Sequence, residues 1–154
     1  AVPELAHAST SLADFSVPGR RQVITGEVEQ VLDVAHNLEA IQVLVDWLAA
    51  HPVRGVQHIV VGMLANKPVE TLGPVLASAG SLYAGGLQVE GRGLSGAVLA
   101  QRLQAPAQVF VNVATAWRAA WAQAKPGDRI VVCGSFYSVA AVLEAEPGLA
   151  GTVK

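Results

Sequence analysis

An α/β fold, with a mostly parallel sheet of about six strands covered by helices on both faces, is predicted by two features of this 154-residue chain. From Arg21 onward, apolar runs rich in Val and Ile alternate with segments of helical periodicity, an alternation that favours a parallel sheet buried between two helical layers. Hydrophobic residues make up 52% of the chain and charged residues only 14%, enough apolar surface for a real core, and the length suits one compact unit.

The elements follow in order. Residues 1–17 show weak periodicity and many Ala and Ser, and read as a linker or the tail of a preceding element, leaving 18–154 as the domain. The short strand "QVIT" precedes "GEVEQVLDVA", and the two can close as an antiparallel hairpin at the start of the sheet. Residues 38–50 place Ile41, Leu44, Val45 and Leu48 on one helical face. The strand "VQHIVVGM" leads to a helix over 68–78, opened by Pro68 and Glu70. "SLYAGG" leads to a helix over 94–103 ending near the basic Arg102. "AQVFVN" precedes the best helical pattern, 113–124, with Val113, Ala116, Trp117, Ala120, Trp121 and Ala124 on one side. "DRIVVCGS" precedes a fifth helix near 136–145, with Phe136, Val139, Ala140 and Leu143 together. The sum is a Rossmann-like three-layer sandwich. Trp47, Trp117 and Trp121 belong either to its core or to a surface facing another domain.

Bulk properties narrow the function. Net charge is -2, pI is near 6.1, and Lys and Arg do not cluster, so the footprint of a nucleic-acid or membrane-surface protein is missing. No apolar run approaches the length of a membrane span. The single Cys133 excludes an internal disulfide and a cysteine zinc site, and fits the reducing cytoplasm. The chain begins at Ala1 rather than Met, which suits a processed protein or part of a longer one.

In an open α/β sheet, ligands bind at the carboxyl ends of the strands. That rule selects "DVAHN" (33–37), "GMLANK" (62–67) and "GSFY" (134–137). Asn37 is a good N-cap for the helix that follows, with Glu39 in its first turn. Asp33 lies within the strand, where a buried carboxylate is costly without partners; a structural turn or ion pair and a ligand contact are both open. The same two readings hold for His36. Ser135 either caps the last helix or meets a ligand, and Tyr137 either packs its ring at the sheet edge or does the same. Lys67 reads as a solvated loop charge. Arg20 is either a linker charge or a clamp for phosphate oxygens. No histidine pairs at metal-ligand spacing. "GRGLSG" (91–96) matches the glycine pattern of a dinucleotide loop but lacks the acidic residue that should follow, and a flexible loop with Ser95 at a helix start fits better. Asp33, His36 and Ser135 have the residue types of a hydrolytic triad, yet the nucleophile elbow is missing. There is no phosphate loop of the Walker type.

Four segments in this order, "PGRRQ" (18–22), "LDVAHN" (32–37), "VVGMLANK" (60–67) and "GSFYSVAAVL" (134–143), resemble the C-terminal domain of bifunctional dihydrofolate synthase/folylpolyglutamate synthase, in the Mur ligase superfamily. The resemblance implies a cytoplasmic ligase whose N-terminal P-loop ATPase domain carries the phosphate loop and the Mg2+ ligands. ATP would activate the carboxylate of dihydropteroate or a folate, and the amine of L-glutamate would attack the acyl phosphate. By position, it implies Arg20 towards the phosphates, Asp33 on the nucleotide, and His36 as the catalytic residue where glutamate and phosphate meet. Ser135 and Tyr137 fall on the glutamate side. The chain departs from the pattern at Leu38, where proline is common, at Asn66 and Pro68, where acids are common, and at Arg21. On this reading the isolated chain folds but is inactive. Two rivals stand beside it: a stand-alone Rossmann-like binding or interaction module, and the C-terminal domain of another Mur-type ligase.

Overall fold

The computed structural model describes residues 21–152. The expected linker over 1–17 and the candidate Arg20 lie outside them. Six strands form one sheet: β1 (Gln22–Ile24), β2 (Glu29–Leu32), β3 (Gln57–Val61), β4 (Ser81–Gly85), β5 (Ala107–Phe110) and β6 (Arg129–Cys133). Their order across the sheet is β1-β2-β6-β3-β4-β5. Only the β1–β2 pair is antiparallel, as the hairpin reading expected. The link between these two strands is too short for a crossover, so a hairpin is the accessible connection.

The helices are α1 (Leu38–Ala50), α2 (Val69–Ala77), α3 (Gly96–Leu103), α4 (Val113–Gln123), α5 (Phe136–Ala145) and α6 (Pro147–Thr152). The first five match the sequence reading to within about two residues, the ordinary uncertainty of a helix end. α6 was not foreseen, because "PGLAGT" carries a proline and two glycines, poor helix formers away from a helix start.

Strand residues alternate between two cores, as the two-residue period of a pleated strand requires. Val31, Ile59, Leu82 and Val131 pack with Leu44 of α1, Leu72 of α2 and Leu99 of α3. Leu32, Val60, Tyr83 and Val132 pack on the opposite side with Val113 and Trp117 of α4 and Val139 of α5. β6 lies centrally and all five of its residues are buried; β5 is an edge strand and leaves Val109 exposed. Among the described residues, no helix is long and apolar enough to cross a membrane.

Two of the expected faces need adjustment. Trp121 is 48% exposed, its ring stacked on that of the buried Trp117, whose indole Nε1–H donates to Gln30 Oε1 at 3.0 Å. In α5, Phe136 is exposed, and the buried residues are Ser138, Val139 and Val142 rather than Phe136, Val139, Ala140 and Leu143. The cause is Ser138, whose hydroxyl donates to Gly62 O at 2.8 Å in the interior and rotates the helix to keep that bond. Trp47 packs near the amino end of β6, where its ring meets His51 and the guanidinium of Arg129.

Candidate functional site

The chain leaving β2 enters α1 on one face of the sheet, whereas the chain leaving the neighbouring β6 enters α5 on the other face. Connections that part in this way open a crevice at the carboxyl ends of the two strands, the place where α/β sheets hold ligands. Residues 33–37 form one lip and residues 134–137 the other. The parallel register Leu32↔Val132 sets them side by side, about 4.8 Å apart by strand spacing.

On the first lip, Asp33 is buried, and its backbone N–H prolongs the ladder to Val132 O at 2.9 Å. Its Oδ1 accepts from Ala35 N–H at 2.9 Å, an Asx-type turn that ends the strand. Ala35 O in turn accepts from Gly134 N–H at 2.9 Å, which ties the two lips together. His36 is half-buried, and its Nδ1 lies 3.1 Å from Val34 O. A carbonyl can only accept, so Nδ1 carries the proton and Nε2 is the nitrogen presented to a ligand. Asn37 caps α1 as expected, its Oδ1 accepting from Ala40 N–H at 2.8 Å.

On the second lip, Gly134 has φ +113, and a Cβ there would lie 2.1 Å from Gly62 O, so only glycine fits. Ser135 is buried and caps α5 by accepting from Ser138 N–H at 3.0 Å. Its hydroxyl also contacts Ser138 Oγ at 3.1 Å. Because Ser138 gives its only proton to Gly62 O, Ser135 is the donor in that pair. Its proton therefore points inward, and Ser135 can meet a ligand only as an acceptor. Cys133, fully buried below it, has its thiol pKa pushed well up by burial and, further, by the charge of Asp33, so it is an inert packing residue.

Tyr137 is half-exposed, and its hydroxyl accepts from Arg92 Nη2 at 2.8 Å, with the guanidinium carbon 5.7 Å from the ring centroid. Arg92 was not singled out from the sequence. The rule that selected the segments after β2, β3 and β6 also applies to the loop after β4, where Arg92 is the sole cation.

The loops after β3 and β4 are joined, Ala65 N–H donating to Arg92 O at 2.7 Å and Leu94 N–H to Met63 O at 3.1 Å. Behind them, Arg102 donates to both carboxylate oxygens of Glu70 at 2.7 and 3.1 Å. It also donates to Ala65 O at 2.9 Å and Lys67 O at 3.0 Å. That hydrogen bonding holds the exposed Glu70 carboxyl down at about 2. Ser95 caps α3, accepting from Val98 N–H at 3.2 Å, so the glycine-rich "GRGLSG" is a loop and helix start, as read. Among the described residues, no three His, Cys, Asp or Glu side chains gather as a metal site.

The family profile for the Mur ligase, glutamate ligase domain matches residues 19–136. The chain belongs to this family. It is 36% identical over 136 residues to the dihydrofolate synthase/folylpolyglutamate synthase of Escherichia coli K12, covering 86% of this chain and 31% of that protein. Escherichia coli FolC, solved in complex with DHPP and ADP, superposes with a TM-score of 0.80 at 35% identity, covering 87% of this chain and 32% of that one. A bifunctional folylpolyglutamate synthase/dihydrofolate synthase with Mn, AMPPNP and L-glutamate bound gives 0.77 at 38% identity over 84% of this chain and 31% of that one. The chain thus spans about a third of the length of the relatives it matches.

Proposed function

We propose that this chain is one lobe of an ATP-dependent ligase that forms an amide between L-glutamate and the carboxylate of dihydropteroate or a folate, in the cytoplasm. The observation that carries the reading is the topological switch point between β2 and β6, which puts the segments carrying Asp33, His36 and Tyr137 at one edge of a sheet whose fold is shared with synthases solved with ADP, AMPPNP and L-glutamate. A second domain, a P-loop ATPase, would cover this edge and supply the phosphate loop. Magnesium ligands are expected there too, and the ion would neutralise phosphate charge during transfer.

A carboxylate is a poor electrophile, so the γ-phosphoryl group of ATP is first transferred to one of its oxygens, releasing ADP. The amine lone pair then attacks the acyl carbon, the C–O bond breaks, and phosphate leaves with that electron pair. His36, whose Nδ1 is taken by Val34 O, would use Nε2 to take the proton that the amine gives up. Asp33, fixed by Ala35 N–H, contacts the nucleotide, and Arg20 reaches its phosphates. Ser135 acts by setting the start of α5, and through it Tyr137, on the glutamate side. Closure of the two domains excludes water, which would otherwise hydrolyse the acyl phosphate.

The test uses Asp33→Asn in the longer protein, because asparagine keeps the acceptor for Ala35 N–H and removes only the charge. The expected result is a loss of ATP-dependent turnover of about tenfold or more, with melting changed by no more than a few degrees. Unchanged ATP use would leave Asp33 a turn residue and refute its contact with the nucleotide; no ATP-dependent turnover in the parent longer protein would favour a stand-alone binding module. The 154-residue chain alone should show no turnover with ATP, L-glutamate and dihydropteroate, and turnover would refute the need for a second domain.

A further inference from the structure

The ligase reading leaves Trp121 without a role. It is half-exposed, yet its ring is held, stacked on the buried Trp117 with centroids 5.6 Å apart and planes 13° from parallel. Both indoles line a cleft of about 690 Å³ bounded by the β1–β2 hairpin, the last turns of α4 and the start of α6. That volume lies within the range of small-molecule sites. The cleft opens at the amino ends of the strands, because α4 and α5 both run away from the carboxyl edge and α6 starts where α5 stops. Gln30, on its wall, precedes Asp33 by about 10 Å along the strand.

Gln30 is 3% exposed, and it is the polar group inside the cleft. Its Oε1 accepts from Trp117 Nε1–H at 3.0 Å. An indole N–H can only donate, so this bond fixes which end of the amide meets Trp117. The Nε2 end is what Gln30 offers to the cleft, and it has no hydrogen-bond partner among the described residues. Its N–H donors are costly to leave unpaired between apolar walls. The same bond orients the indole pair, so ring and donor are set together before a ligand arrives, which lowers the ordering cost of binding. At the rim, Arg118 stands 3.9 Å from Glu146, and Glu27 adds a further carboxylate, so the mouth carries excess negative charge and disfavours an anion.

We infer that the cleft between the β1–β2 hairpin and α4 binds a planar, uncharged heteroaromatic ring, stacked on Trp121 and accepting through a ring nitrogen or carbonyl from Gln30 Nε2–H. A stacking surface alone takes any flat ring. The buried donor adds selection, because a ring that presents only an N–H or C–H edge leaves the amide unpaired, and that mismatch is how a polar site rejects a molecule of similar shape. The inference goes beyond the ligase reading and does not rest on it. The cleft is built entirely from this chain, and a ring bound there competes with no group placed at the carboxyl edge.

Quinoline and indole separate the stack from the donor. Both are flat bicyclic rings of similar size, but the quinoline nitrogen accepts a hydrogen bond whereas the indole N–H only donates. Each is titrated into the 154-residue chain, and the Gln30 side-chain amide and the Trp117 and Trp121 indole N–H signals are followed by NMR. Quinoline should give saturable shifts at Gln30 and Trp121 at about millimolar concentration, ordinary for a fragment of its size, with indole at least about fivefold weaker. Trp121→Ala, at an exposed position, should weaken quinoline at least about tenfold. Equal affinities for the two rings would show that the donor does not read the ligand, and would overturn the inference. So would quinoline shifts that survive Trp121→Ala, or a response centred on Asp33 and His36. No saturable shift with either ring would overturn it too, leaving the exposed indole to a protein partner. The contrast between the rings is read on the parent chain, so it stands whatever the variant does to folding.

Discussion

Asp128 offers the sharpest quantitative test of how the sheet is held together at the end away from the site. Its Oδ2 accepts from His58 Nε2–H at 2.9 Å and from Lys125 N–H at 3.0 Å, and its Oδ1 accepts from Val56 N–H at 2.9 Å. His58 Nδ1 lies 2.8 Å from the hydroxyl of Tyr83, so one carboxylate connects β3, β4 and the turn before β6. Burial by itself pushes this carboxyl's pKa up, but the bonds from His58 and the two amides outweigh it and hold it at about 2.

A group whose folded pKa lies below its unfolded value stabilises the fold above the unfolded value and loses that contribution as pH falls towards the folded one. Between the ordinary 3.8 and about 2, the contribution is about 2 kcal/mol at pH 7, and it shrinks to less than about 1 kcal/mol at pH 2.5. Asp128→Asn removes the ionisation and keeps an acceptor for Val56 N–H. Urea unfolding of both proteins at pH 7, 5, 4, 3 and 2.5 should show the variant less stable by about 2 kcal/mol at neutral pH, with the gap closing below about pH 4. Glu70 titrates over a similar range but is present in both proteins, so its effect cancels in the difference. A gap that stays constant across the series would mean that shape rather than charge gives Asp128 its value, and the reasoning would be refuted.

Gly134→Ala should destabilise the chain by about 3 kcal/mol or more in the same assay, since it combines a left-handed backbone with a Cβ 2.1 Å from Gly62 O; a loss below about 1 kcal/mol would show that the two lips are not fixed as described. Arg102→Met should act locally instead, lowering Tm by no more than about 4 °C because its partner Glu70 is exposed, while amide exchange at Lys67 quickens as the loop after β3 loses two carbonyl anchors. Protection of Lys67 equal to that of the parent protein would show that the loop holds itself.

What was legible in the sequence is local. Asn37, Ser95 and Ser135 announce helix starts because a short polar side chain can satisfy an amide two or three residues on, and each does so. The central strands announce themselves by unbroken apolar runs, since both of their faces are covered. The buried stripe of α5 was misjudged because a serine counts as polar until its partner is known, and Gly62 lies 76 positions away. α6 gave no signal, because packing rather than propensity makes it.

The same distinction explains why the candidate site was only half visible. Asp33 and His36 were found because they interrupt an apolar strand, which is a disagreement between neighbours along the chain. Arg92 disagrees with nothing around it: an arginine in a glycine-rich surface loop is ordinary. Its meaning comes from Tyr137, 45 positions away, and from a strand order that brings the loops after β3, β4 and β6 to one edge. Arg102 is alike, a helix-end cation by sequence that the fold sets against carbonyls 35 and 37 positions back. Side chains that pair across loops therefore have to be sought from the topology. Every cation and anion that follows a parallel strand, whatever its neighbours, belongs to this edge, and that rule sets Arg92 beside Asp33 and His36 from the sequence alone.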